Sequence, residues 1–194
     1  MKVILFGGTF DPPHIGHLVV AELSLEYLKA DKVIFIPSKV SPFKANTKPL
    51  FSNEERLEMV RLSIQDNENF EVSNFEIMSN KEVSYTYLTI QHFTNEYPKD
   101  EFFLLIGGDN LKDFHKWRNY EFILTKVKLV VYPRFGYTTK VPKSLEEFKD
   151  RILFLNTPLI DISSTSIRER IIQGKDVRYF LHHKVYEYIK GKFR

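Results

Sequence analysis

The chain has 194 residues, 43% of them apolar and 27% charged, with a net charge of +3. That length and composition exclude a disordered chain, allow a sizeable core in one domain, and are too weakly basic to argue for nucleic acid. There is no cysteine, which excludes a disulfide framework and thiolate chemistry and is compatible with a reducing cytoplasm.

The first predicted element is the apolar run Val3–Phe6 (VILF), which stops at Gly7 and Gly8. It is too short for a signal-peptide core, and no later run reaches the length of a membrane span. A helix is predicted to begin near His14–Gly16, with Leu18, Ala21, Leu25 and Leu28 on one face. The run Val33–Ile36 follows, then a long loop, Pro37–Pro49, with three prolines and three lysines. Ser52 and Glu55 have capping-box spacing ahead of a helix carrying Leu57, Val60 and Ile64. A third helix is predicted over Ser84–Tyr97, stopped near Pro98. The runs Phe102–Ile106 and Leu129–Tyr132 come next, then a second loop, Pro133–Ser144. Ile162–Ile172 (ISSTSIRERII) reads as a helix start with Ser166 and Glu169 as a capping box, and HKVYEYIKGKFR as a terminal helix.

None of the four apolar runs alternates with polar residues. Continuous runs of this length belong to strands buried on both faces, hence to a parallel sheet covered by helices. The expected fold is a doubly wound, Rossmann-like α/β domain with a mostly parallel sheet and a small helical C-terminal part. One domain is expected over 1–194, its core spanning about 1–160 and the C-terminal helices about 161–194.

In such a fold the first β–α turn lies beside the ligand crevice. Gly7 and Gly8 allow backbone N–H groups close approach, and the following helix presents its positive dipole end. His14 and His17 add two imidazole donors for phosphate oxygens, most effectively when protonated. Each histidine alone is compatible with a simple turn and helix start. The pattern matches neither the dinucleotide nor the P-loop glycine motif. Far along the chain, Ser163, Ser164, Thr165 and Ser166 supply hydroxyls at a helix start and Arg168 a guanidinium fork. That combination caps a helix and can equally hold an anion.

GGTFDPPHIGH (Gly7–His17) resembles the G-x-F-D-P-x-H-x-G-H signature of the nucleotidyltransferase superfamily, and ISSTSIR (Ile162–Arg168) its I-S-S-T-x-x-R signature. IPSKVSPFK, RLEMVRLSI, SYTYLTI, LLIGGDNLKDFHKW and VYPRFG extend a resemblance to bacterial nicotinate mononucleotide adenylyltransferases over essentially the whole chain. The chain departs from that family at Phe43, where histidine is usual, at Gly108, where alanine is usual, and in YFLHHKVYEYI, where a proline is common.

The resemblance implies adenylyl transfer from ATP to nicotinate mononucleotide, with Mg²⁺ arriving on the ATP. His14, His17, Lys44 and Arg168 are then the expected catalytic residues. Gly7, Gly8, Thr9, Phe10, His17, Gly107, Asp109, Ile162, Ser163, Ser164, Thr165 and Arg168 are expected around ATP. Lys44, Ser84, Tyr85, Thr86, Trp117 and Arg134 are expected around the acceptor, and no metal ligand is assigned. Several of these residues admit a second reading. Trp117 can stack on a pyridine ring or pack a helix, and Asp109 can meet a ribose or cap a helix. Ser84 can simply N-cap the helix that Tyr85 and Thr86 open. Asp11, beside Pro12, is expected to fix the turn rather than bind metal.

Nicotinamide mononucleotide and phosphopantetheine are the alternative acceptors. The second is disfavoured because such enzymes are shorter and lack the SYT and GGD…W stretches. A class I aminoacyl-tRNA synthetase, suggested by HIGH, has no room here for a tRNA-binding domain. A nucleotide-binding sensor is the non-enzymatic alternative. A cytoplasmic monomer or small homo-oligomer, without nucleic-acid or membrane partners, is expected.

Overall fold

The computed structural model describes residues 1–40, 42, 48–137 and 140–192. Six strands form one parallel sheet in the order β3-β2-β1-β4-β5-β6. They are β1 (Lys2–Gly8), β2 (Lys32–Pro37), β3 (Phe70–Val72), β4 (Glu101–Gly107), β5 (Lys128–Tyr132) and β6 (Ile152–Phe154). The four predicted apolar runs are the four central strands. In β1 and β4 the interior residues Val3–Phe6 and Phe102–Ile106 are buried without alternation, because helices cover both faces. Gly7 and Gly8 belong to the end of β1 rather than to the turn after it.

Eight α-helices accompany the sheet among the described residues: α1 (Ile15–Leu28), α2 (Asn53–Ile64), α3 (Phe75–Met78), α4 (Thr86–Glu96), α5 (Gly108–Leu111), α6 (Tyr120–Lys126), α7 (Ser164–Ile172) and α8 (His183–Lys190). A 3₁₀ segment, Lys143–Arg151, takes over at the end of the second predicted loop. None of the described helices is long and apolar enough to cross a membrane.

Two apolar clusters flank the sheet. One holds Ile90, Phe93, Leu111, Phe114, Ile123 and Leu124 against β1, β4 and β5, and the other Val20, Ala21, Leu28, Val60 and Ile64 against the opposite face. The α1 stripe is rotated from expectation. Val20, Ala21, Ser24 and Leu28 are buried, whereas Leu18 and Leu25 are only partly so. Helix α2 carries the expected Leu57, Val60 and Ile64 inward, and its Ser52–Glu55 capping box is formed by reciprocal bonds of 3.2 and 2.8 Å. Its other side, Met59 with Phe51, joins a third cluster with Ile167, Ile171, Val177, Leu181, Val185 and Ile189. That cluster fastens α7 and α8 to the sheet domain through α2.

Candidate active site

The strand order reverses between β1 and β4, so the connections leaving these two strands diverge to opposite sides and open a crevice at their carboxyl ends. A cavity of about 200 Å³ fills it. Its lining includes Gly7 and Gly8 from β1 with Thr9 just after it, Gly107 from β4, Ser84, Thr86 and Thr89 around the start of α4, and Trp117. A Cβ added at Gly7 would meet nothing within 4 Å, so the missing side chain there keeps open space at the end of β1. Trp117 answers its packing reading, against Phe114 with ring centroids 4.8 Å apart, and also lies at the cavity wall.

Beside this cavity lies a narrow recess formed by His14, Gly16, His17, Tyr132, Arg134 and Ile162. His14 is the N-cap of α1, and its backbone N–H donates to Nδ1 of His17 at 3.1 Å. An acceptor Nδ1 forces the proton of neutral His17 onto Nε2, so the far end of the ring is a donor in either protonation state. The ring is held on three sides. It stacks on His14 with centroids 3.7 Å apart, and meets Phe10 and Phe6 edgewise at 5.0 and 5.9 Å. Phe10 itself adopts φ 49°, an uncommon conformation for a bulky residue, and is 2% exposed. Its buried ring lies against Gly8 and His17, so the Phe10 side chain is not open to a ligand.

His14 is held uncharged by its surroundings. Burial, assisted by the Arg134 guanidinium, lowers its pKa from 6.5 to about 3, so before ligand binding it is a neutral imidazole rather than a cation. Because the unfolded histidine titrates near 6.5, this neutral burial contributes stability above that pH and loses it as pH falls toward 3. Between those limits the loss is up to about 1.4 kcal/mol per pH unit. Urea unfolding of the nucleotide-free protein should show a shallower acid decline for His14→Asn than for wild type. Equal slopes would place the acid sensitivity elsewhere.

The distant C-terminal motif closes over the same loop. Arg168 Nη1 donates to the Asp11 carbonyl at 2.9 Å and lies 3.6 Å from its carboxylate, while Nη2 donates to Thr165 Oγ1 at 3.0 Å. Ser164 Oγ donates to the Pro12 carbonyl at 2.9 Å. Ser163, not Ser166, caps α7: its Oγ accepts from the Ser166 N–H at 3.1 Å, and the predicted Ser166–Glu169 box gives way to a helix starting three residues earlier. Asp11 spends both carboxylate oxygens on the N–H groups of Leu50 and Phe51, each at 2.9 Å. It fixes the turn, as expected.

A third depression, of about 220 Å³, is lined by Asp109, Arg134, Phe135, Tyr137, Ile160, Asp161 and Ser163. Asp109 lies in the first turn of α5 rather than capping it, 3.7 Å from Arg134 Nε. A Cβ at Gly107 would sit 2.3 Å from Asp109 Oδ1, so glycine there sets how closely that carboxylate approaches β4. Arg134 is absent from the lining of the Trp117 cavity. It borders the recess and the depression instead, across the histidines from Trp117. Ser84 is likewise not the cap of α4. Tyr85 occupies that position, and Ser84 Oγ accepts the Lys39 N–H at 2.9 Å, tying α4 to the loop after β2. Lys44 and Phe43 lie outside the described residues.

Arg56 supports the site without being anticipated by motif. It is the largest fully buried side chain, and its guanidinium donates to the carbonyls of Thr9 at 2.5 Å and Ser38 at 2.7 Å and to Asn53 Oδ1 at 2.5 Å. It thereby joins the loops that leave β1 and β2. Burial lowers its pKa from an ordinary value so high that the cation persists.

A family model described as cytidylyltransferase-like matches residues 5–170. A Caldicellulosiruptor saccharolyticus protein described as a probable nicotinate-nucleotide adenylyltransferase is 44% identical over the whole of both chains. A Clostridium tetani protein of the same description is 42% identical over 97% of this chain and 96% of its own. The chain belongs to the nicotinate-nucleotide adenylyltransferase family. The nicotinic acid mononucleotide adenylyltransferase of Plasmodium falciparum, solved in complex with NaAD, shares the fold at TM-score 0.80 and 18% identity, covering 100% of this chain and 98% of its own. In this member of the adenylyltransferase family, the histidine loop, the α7 start and the Trp117 cavity meet along one edge of the sheet.

Proposed function

We propose that this adenylyltransferase joins ATP to nicotinate mononucleotide, releasing pyrophosphate and forming nicotinate adenine dinucleotide. The observation that carries this reading is the alignment of three concavities along the carboxyl edge of the sheet, with the His14–His17 pair between the other two. Tyr132 borders both the Trp117 cavity and the histidine recess, and Arg134 both the recess and the Asp109 depression. A dinucleotide with its reacting phosphates at the histidines would place the pyridine against Trp117 and the adenosine near Asp109.

The acceptor's 5′-phosphate is ionised at neutral pH, so no general base and no protein nucleophile is required. One of its oxygens attacks the α-phosphorus in line. A new P–O bond forms, the bond to the bridging oxygen toward the β-phosphorus breaks, and pyrophosphate leaves with that electron pair. The protein supplies position and charge neutralisation. His17 Nε2–H is the fixed donor to the α-phosphate. The arriving phosphates offset the effects that hold His14 neutral, allowing it to take up a proton beside them. The N–H groups at the start of α7, with Ser163, Ser164 and Thr165, suit the departing oxygens, as does Arg168. Gly7, Gly8 and Thr9 let backbone come close to the phosphates. Lys44 is assigned to the phosphates through the family motif alone.

Asp11, the acid nearest the histidines, already has two N–H donors on its carboxylate, so it does not fit as a resident metal ligand. Mg²⁺ accordingly enters as part of the MgATP substrate, and the protein's own steps are those of its donors. The reading takes residues 1–194 as one catalytic domain, with 161–194 packed on the core through α2. It makes the protein a cytoplasmic monomer or small homo-oligomer without nucleic-acid partners.

The test is pyrophosphate release with ATP, Mg²⁺ and each acceptor in turn, with nicotinate mononucleotide expected as the preferred one. Absence of pyrophosphate release with every acceptor would favour a nucleotide-binding sensor and overturn the reading. Trp117→Ala should raise the acceptor KM about tenfold or more while ATP affinity changes little, as expected for a lost aromatic contact. An unchanged acceptor KM would remove Trp117 from the pyridine.

A further inference from the structure

The cavity beside Trp117 contains a carboxyl group that adenylyl transfer does not require. Glu76 lies on the short helix α3, is 9% exposed, and borders the same cavity as Trp117, Ser84 and Thr86. Its Oε1 accepts the hydroxyl of Thr89 at 2.6 Å. Ser84 Oγ already accepts the Lys39 N–H, and so has its own proton to give to the Glu76 carboxyl.

The charged and titratable groups on the surrounding elements are otherwise engaged. Lys39, from the loop after β2, donates its Nζ to the Ser79 carbonyl at 2.8 Å. His92 on α4 stacks on Phe75 and pairs with Glu96 at 3.1 Å. Lys81 and Glu82, between α3 and α4, are exposed. Among the described residues none forms an ion pair with Glu76. Burial raises its pKa against the pull of the two hydroxyls.

Two acceptor classes share this chemistry and differ only in the pyridine substituent. A carboxylate is charged and accepts hydrogen bonds only, whereas a carboxamide is neutral and donates two. A protonated Glu76 offers one O–H donor, which suits the carboxylate. An ionised Glu76 repels the carboxylate and suits the amide N–H₂.

We propose that Glu76 is a specificity-determining residue that reads the acceptor's pyridine substituent through its own protonation state. With its proton it hydrogen-bonds and admits the acid, and without it the pocket turns toward the amide. This rests on the Trp117 cavity being the acceptor site, as proposed above.

The experiment measures kcat/KM for nicotinate mononucleotide and nicotinamide mononucleotide from about pH 6 to about pH 9, scoring the amide by its inhibition constant if it is not turned over. The acid-to-amide ratio cancels titrations that affect both acceptors alike, including those of the phosphates and of the histidine pair. In wild type the ratio is expected to fall with rising pH, by up to about tenfold per unit once Glu76 ionises. Glu76→Gln should flatten it. Thr89→Val, which removes a donor to the ionised form, should move the fall to higher pH. A pH-independent ratio in wild type overturns the proposal, and so does a fall retained in Glu76→Gln. If both acceptors react but the ratio is flat, only the role of Glu76 fails. If neither reacts, the proposed function fails and takes this inference with it.

Discussion

His17→Ala is expected to lower kcat at least about 10²-fold with a much smaller change in acceptor KM, the pattern of a donor used most in the transition state. The magnitude follows from how completely the ring is set before substrate arrives. Its Nδ1 is occupied by the His14 N–H, and its faces by His14, Phe10 and Phe6. None of the charge stabilisation is spent on orienting it during the reaction. His17→Gln is the sharper variant, because it keeps a side-chain amide of similar reach to Nε2 but loses the direction imposed by the ring. Single-turnover measurements with ATP bound should place the defect in the chemical step. A normal single-turnover rate in His17→Ala would remove the residue from the reacting phosphorus.

The second large effect is expected at Arg56, which touches none of the reacting groups in the proposed mechanism. Arg56→Met keeps much of the apolar stem but leaves the carbonyls of Thr9 and Ser38 without their guanidinium donors. At about 1–3 kcal/mol for each unsatisfied buried acceptor, the variant should lose roughly 3 kcal/mol or more. For a chain of this size that corresponds to a fall in Tm of about 6 °C or more. Turnover at permissive temperature should fall as well, because Thr9 is freed from Ser38 at the edge of the cavity. A variant with native Tm but poor turnover would show that Arg56 positions the loop without stabilising the fold.

The four central strands were readable because burial on both faces produces continuous apolar runs. Strands β3 and β6 were not, since three residues at the edge of a sheet, such as Phe70, Glu71 and Val72 with only partial or no burial, need not form such a run. The histidine loop and the ISSTSIR helix start stood out because their residue types recur in anion sites, and the fold brings the two together. The cap of α7 was misplaced by three residues, as Ser163 and Ser166 are locally equivalent candidates and only the three-dimensional path decides between them. Arg56 did leave a sequence signal. It stands three and seven residues before Met59 and Ser63, on the buried stripe of α2, where an arginine demands internal partners. Glu76 left none, because its partner Thr89 lies thirteen residues away on another helix. The side of the crevice that Arg134 borders was not legible for the same reason: its position in a loop gave no indication which rim it would face.

The two bonds that tie the first β–α loop to α7, from Ser164 to Pro12 and from Arg168 to Asp11, join residues more than 150 positions apart. Synthesis runs from the N-terminus, so the histidine loop waits for α7 through nearly the whole of translation. The sheet can begin pairing as β1, β2 and β4 emerge, while these last fastenings of the active loop cannot form until Arg168 is free. An incomplete nascent chain would therefore carry the signature loop without these two fastenings.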